Sequence, residues 1–230
     1  MPLRIGFLVF PKITQLDMTG PHEVFARMPD REIHLAWKSL EPITEAGGMR
    51  LLPTTTYAAC PQLDLICVPG GPGMNPLLND EETLAFVRRQ AGGARYVTAV
   101  CTGALVLGAA GLLRGKRATT HWTALPMLAA FGATPVDART VTDGNVITGG
   151  GVTAGIDFAL RIAADLLGED AAKTIQLSIE YNPQPPFDAG SPAGAGEAIV
   201  ARQRAAAVKA QAEREAAVRQ AAERLAAVSG

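Results

Sequence analysis

The sequence predicts an α/β fold: a mostly parallel central sheet between helical layers, followed by a long C-terminal helix. Three observations carry this reading. Short apolar runs alternate with helical patterns up to about residue 180, the order that builds a parallel sheet covered on both faces. Two of those runs, Leu65-Ile66-Cys67-Val68 and Val97-Thr98-Ala99-Val100, are too uniformly apolar for a sheet with one wet face and suit central strands. Residues 193–228 hold 15 alanines and ten charged residues but no proline, a composition that favours helix throughout.

Taken in order, Arg4–Phe10, Ile33–Trp37, Leu63–Val68 and Tyr96–Val100 read as strands, each ending at glycine, proline or a polar loop. Helices are expected over Pro21–Met28, Glu81–Ala91, Gly103–Leu113, Thr123–Phe131 and Thr153–Leu167. Thr140–Thr142 and Val146–Thr148 flank Asp143-Gly144-Asn145 and read as a hairpin with a tight turn. Tyr181–Pro192 carries four prolines and reads as a connector. It divides a catalytic domain, 1–192, from an Ala-rich helical extension, 193–230. A helix over 196–228 would be about 50 Å long. Its stripe of Val218, Ala221, Ala222, Leu225 and Val228 suits packing over its own domain or a partner subunit. No chemistry is legible in it, so its loss is expected to alter stability or oligomer size more than catalysis.

Composition narrows the function. The 230 residues carry 21 Lys+Arg against 22 Asp+Glu and are 48% hydrophobic, which argues against disorder and against nucleic acid as a partner. The near-zero balance favours a small neutral molecule. No apolar run is long enough to span a bilayer, and the N-terminal residues do not read as a secretion signal. Three cysteines, Cys60, Cys67 and Cys101, form no CxxC pair, and no cluster has metal-ligand spacing. Reduced thiols and a cytoplasmic location are expected.

The chemistry concentrates in four turns. In Ala99-Val100-Cys101-Thr102-Gly103-Ala104 an apolar strand ends, a cysteine follows, and a helix begins at once. This is the layout of a nucleophile elbow. The helix N-terminus is expected to stabilise a Cys101 thiolate, and its free N–H groups, that of Thr102 included, to hold developing negative charge. Val68-Pro69-Gly70-Gly71-Pro72-Gly73 closes a neighbouring strand at the same sheet edge, where Gly71 is a candidate second donor. Asp17, between Leu16 and Met18, is either an N-cap or Asx turn ahead of Pro21 or a buried acid of raised pKa. Gly149-Gly150-Gly151-Val152-Thr153 allows a close backbone approach, through which Gly150 and Val152 would border the site. The histidines give little: His121, after a Thr pair and before Trp122, could line a site, but each of the three reads more readily as structural. Cys67 reads as core.

With these residues in place, the chain resembles the ThiJ/PfpI superfamily, of class I glutamine amidotransferase-like fold, over roughly residues 3–180. The likeness rests on Asp17-Met18-Thr19-Gly20-Pro21-His22-Glu23-Val24-Phe25, Val68-Pro69-Gly70-Gly71, Ala99-Val100-Cys101-Thr102-Gly103-Ala104 and Ala118-Thr119-Thr120-His121-Trp122. It implies a flavodoxin-like three-layer sandwich. Within the superfamily the motifs are most like the subgroup that hydrates isonitriles to N-substituted formamides, without a cofactor, as homodimers. That subgroup's pattern makes Asp17, Cys101 and Thr102 the catalytic residues, with a Cys101 thioimidate as intermediate and Asp17 as proton carrier. Thr102 stands where protease-like and glyoxalase-like members usually place histidine, and Asp17 where they commonly use glutamate. A glyoxalase or hydrolase activity is therefore the weaker enzymatic expectation. The Cys-Thr-Gly and Thr-His-Trp patterns also resemble the sensor domain of AraC-type regulators, which makes a non-catalytic ligand or redox sensor the rival from another class. The C-terminal residues carry no evident helix-turn-helix.

Overall fold

The computed structural model describes residues 2–228, with the Val228 side chain outside the described set. In chain order the elements are β1 (Leu3–Leu8), α1 (Gln15–Phe25), β2 (Arg31–Trp37), β3 (Ile43–Thr44), β4 (Arg50–Leu51), β5 (Thr55–Thr56) and β6 (Leu65–Val68). A 3-10 helix over Pro72–Asn79 leads to α2 (Glu81–Gly93), β7 (Tyr96–Val100), α3 (Gly103–Ala109) and β8 (Arg117–Ala118). A second 3-10 helix, Leu125–Phe131, precedes β9 (Thr134–Pro135), β10 (Thr140–Asp143) and β11 (Val146–Gly149). The chain closes with α4 (Ala154–Leu167), α5 (Glu169–Ser178), α6 (Pro192–Ala195) and α7 (Glu197–Val228).

Seven strands form the central sheet in the order β10-β11-β7-β6-β1-β2-β5. All neighbours are parallel except β10 and β11, the expected hairpin, whose turn is Gly144-Asn145. The four β6 residues and the last four of β7 are buried, as their unbroken apolar character requires. Register aligns Phe7 with Cys67, Val68 with Ala99, and Val100 with Gly149. The loops leaving β1, β6, β7 and β11 therefore emerge side by side at one sheet edge. All four candidate turns lie on these loops or just beyond them.

Three expectations need correction. The first helix starts at Gln15 and not at Pro21, which lies inside it. Proline removes one ladder hydrogen bond, that to the Asp17 carbonyl. Burial of Met18, Val24 and Phe25 holds the helix together across this gap. The third helix stops at Ala109, because the chain turns left-handed at Gly111 (φ +82°), and the segment ending at Phe131 is 3-10 and not α. Helix α5 and the two-residue strands β3, β4, β5, β8 and β9 went unread. Such strands are too short to show a period, and α5 buries only Ala172 and Ile175.

Helix α7 runs as expected and packs on its own chain. Val218 and Ala221 are buried, and Ala222 and Leu225 pack beside them. The polar contacts to the body are specific. Asn79 Nδ2 donates to the Ala217 carbonyl (3.1 Å), and Gln211 Nε2 donates to the Thr123 carbonyl (2.8 Å). The Arg224 guanidinium donates to the Leu78 and Ala109 carbonyls and pairs with Glu81. Val218→Asp places a carboxylate in this seam. It should cost about 3 kcal/mol, a fall of roughly 6–12 °C in melting temperature by scanning calorimetry.

Candidate active site

Cys101 sits between β7 and α3 with φ +55°, a left-handed conformation that costs a non-glycine residue roughly 1 kcal/mol or more. Two hydrogen bonds hold it there. Its N–H donates to the Gly149 carbonyl (3.0 Å), and its carbonyl accepts from Thr120 Oγ1 (2.6 Å). The side chain is 6% exposed. This is the nucleophile-elbow geometry read from the sequence, with the strain located on the cysteine itself.

Asp17, in the first turn of α1, is completely buried. It neither caps the helix nor forms an Asx turn. Its Oδ2 accepts from the Gly70 N–H across the sheet edge (2.8 Å), while Oδ1 is buried without a hydrogen-bond partner among the described residues. Burial raises the carboxyl to about 7, against the opposing pull of the Gly70 N–H and the Cys101 thiol. Of the two sequence readings of Asp17, the buried acid is the one present.

The thiol differs from the expectation. Burial, and then the negative charge of Asp17, push Cys101 up to about 12. The Thr102 N–H and hydroxyl pull it down but do not prevail. The reason is desolvation: a sulfur screened from water loses more than two local donors return. At neutral pH the resting thiol is therefore protonated, and a half-ionised carboxyl lies beside it.

The glycine turn supports this pair and does not act as an open oxyanion hole. The Gly71 N–H donates to Thr102 Oγ1 (3.1 Å), so it orients the hydroxyl that serves the sulfur. Gly71 has φ +134°, and a Cβ there would lie 2.4 Å from the Thr14 nitrogen. A Cβ on Gly70 would meet Thr102 Oγ1 at 2.5 Å and Asp17 Oδ2 at 3.0 Å. Both positions demand glycine to let the backbone reach the catalytic pair.

A cavity of about 550 Å³ opens above Cys101 and Thr102, within the range that holds a small organic ligand. Gly71 and Val152 line it, as expected. Gly150 does not; its N–H donates to the Arg139 carbonyl (2.9 Å). His121 is on the wall and neutral. Burial, then the charge of Arg214, lower its pKa, and Thr123 donates to Nδ1 from its hydroxyl (2.8 Å) and its N–H (3.4 Å). Cys67 lies in the core and Cys60 at its margin, their thiols pushed up by burial to about 12 and about 11.

Much of the lining that the sequence did not disclose comes from α7. Ile199, Val200, Gln211 and Arg214 form the cavity roof. The C-terminal helix is thus part of the site, contrary to the expectation that it carries no role there. Arg214 was illegible because it is one of ten mixed charges in a helix whose apolar stripe is weak.

Among known proteins, the chain is 60% identical over 208 residues to an isonitrile hydratase of Pseudomonas putida, a match spanning 90% of this chain and 91% of that one. A ThiJ/PfpI family protein from Pseudomonas syringae superposes with a TM-score of 0.92 at 41% identity, over 95% of this chain and 91% of the other. An HTH-type transcriptional regulator of Pseudomonas aeruginosa is 28% identical over 189 residues, which is 78% of this chain but only 51% of the regulator. The DJ-1/PfpI family profile matches residues 3–165. With the parallel sheet, the cysteine elbow and the profile in agreement, the chain belongs to the DJ-1/PfpI family.

Proposed function

We propose that this protein is an isonitrile hydratase, converting an isonitrile and water to an N-substituted formamide. The observation that carries the reading is Cys101 on the floor of a cavity with the buried Asp17 carboxyl beside it, in a chain so similar along its length to the Pseudomonas putida isonitrile hydratase. A protonated thiol beside a carboxyl that titrates near 7 suits addition of S and H across one carbon.

Asp17 carboxylate takes the Cys101 proton as the sulfur attacks the terminal isonitrile carbon. Asp17 then returns that proton to the same carbon, giving a thioimidate. The Thr102 N–H and hydroxyl stabilise the sulfur charge during both transfers. Water adds next to the thioimidate carbon: Asp17 accepts one of its protons and passes that proton to the nitrogen. Collapse of the tetrahedral adduct breaks the C–S bond, releases the formamide and restores the thiol. The unpartnered Asp17 Oδ1 is the atom suited to these transfers. The balance is one isonitrile plus one water to one formamide, and no step calls for an added cofactor. The working protein is read as a homodimer.

The test is direct. Purified protein with an alkyl or aryl isonitrile should yield one formamide per isonitrile consumed, followed by the loss of the isonitrile stretch in the infrared. Tight isonitrile binding without formamide would favour the sensor reading instead. The buried, high-pKa thiol argues against a redox sensor, because oxidation follows thiolate character and exposure.

A further inference from the structure

Arg214 carries a charge that the reaction above does not use. It projects from α7 to the wall of the Cys101 cavity. Its Nη1 donates to Gln211 Oε1 (3.0 Å), a neutral partner on the same helix. Its Nε is buried with no hydrogen-bond partner among the described residues. Among the described residues no carboxylate lies within ion-pair distance of it. Glu213, which also borders the cavity, is exposed. His121 across the wall is held neutral, and Cys101 is at the floor, with Asp17 buried beside it and outside the lining. Burial lowers the Arg214 pKa, and the field of Cys101 opposes that. A guanidinium stays charged even so.

A half-buried cation facing a cavity without its own counterion loses part of its hydration, and a group of opposite charge arriving there compensates for that loss. Elsewhere the roof combines apolar Ile199, Val200 and Ala207 with the neutral amides of Gln203 and Gln211. The cavity therefore has a reactive floor, a mixed apolar and neutral polar lining, and one cationic end.

We propose that Arg214 is the specificity residue of this site, and that the preferred substrate is an isonitrile bearing a carboxylate on its organic substituent. The inference rests on the isonitrile hydratase reading for the reacting end and adds the chemistry of the other end. The carboxylate receives N–H bonds from the guanidinium, an arrangement for which arginine's fork is suited. Gln211 holds Nη1 and pre-orients that fork. The neutral molecule suggested by net charge is then replaced by an anion, because a substrate responds to the local field of the cavity and not to the sum over the surface.

The experiment compares an isocyanobenzoate with its methyl ester, in the wild type and in Arg214→Gln and Arg214→Lys. The wild type should prefer the carboxylate in kcat/KM. In Arg214→Gln that preference should fall about 30-fold or more, as expected for truncating one side of a buried charge pair. Arg214→Lys should retain part of it. A carboxylate-to-ester ratio unmoved by Arg214→Gln, including equal loss on both substrates, would overturn the proposal. Calorimetric binding of formamidobenzoate and its ester to the same proteins separates this inference from the activity. Wild type that hydrates neither isonitrile yet binds the carboxylate in an Arg214-dependent way would refute the hydratase reading and support the anion site. Binding that ignores the carboxylate would refute the anion site whether or not turnover occurs.

Discussion

Cys101→Ala is expected to reduce isonitrile turnover by at least about 10⁴-fold, leaving only what the cavity achieves by holding substrate and water together. The substitution should leave the fold intact. Alanine meets the same left-handed strain as cysteine, and the two bonds that enforce φ +55° use backbone atoms of residue 101. The buried methyl fills most of the lost volume. Equal melting temperatures with formamide production reduced to background would locate the defect in the chemistry. Wild-type rates in Cys101→Ala would exclude the thioimidate route. Cys101→Ser provides a second check: a hydroxyl is a far weaker nucleophile than a thiol, so it should be nearly as inactive although close in shape.

For Asp17→Asn we expect opposite effects on activity and stability. Activity should fall by about 10²–10⁴-fold, the usual contribution of a positioned proton carrier. Stability at pH 8 should rise. The folded pKa, about 7, is above the ordinary carboxyl value of 3.8, so ionisation of Asp17 penalises the folded state. The penalty is absent below about pH 4, grows as pH rises toward 7, and is constant above. Its upper bound is about 4 kcal/mol, from roughly three pH units at 1.36 kcal/mol each. Asparagine can keep the acceptor for Gly70 N–H without the buried charge. Urea unfolding across pH should show the variant more stable at pH 8, with the gain disappearing near pH 4; a variant less stable at pH 8 would contradict a buried acid. The same group governs wild-type rates. The carboxylate form accepts the thiol proton, so kcat/KM should fall tenfold per pH unit on the acid side of about 7, a value belonging to the coupled Asp17–Cys101 pair.

Strain, desolvation and packing divide the site between what a sequence discloses and what it does not. The elbow at Cys101 was legible because a buried strand, a cysteine and small residues follow without a gap. Asp17 was legible as a residue type, but its role was not. Whether it capped a helix or lay buried depended on α1 starting six residues before Pro21, against proline's usual preference. Gly71 was correctly placed at the edge, yet its N–H serves the Thr102 hydroxyl. Gly150 stays out of the cavity, because hydrogen bonding to Arg139 turns its N–H away, and the loop reaches the lining only at Val152.

By itself, the sequence determined the alternating α/β order, the two central strands, the sheet edge bearing the reactive turns, and the long alanine-rich helix. These follow from periodicity, buried apolar runs and helix propensity, which are local properties of the chain. The protonation of the thiol, the raised pKa of Asp17 and the place of α7 over the cavity arise from long-range packing. Each depends on which distant groups exclude water from a given atom. Residue 214 lies more than a hundred positions from Cys101, and its charge acquires meaning only when α7 folds back across the sheet edge and brings it, half-buried, to the cavity.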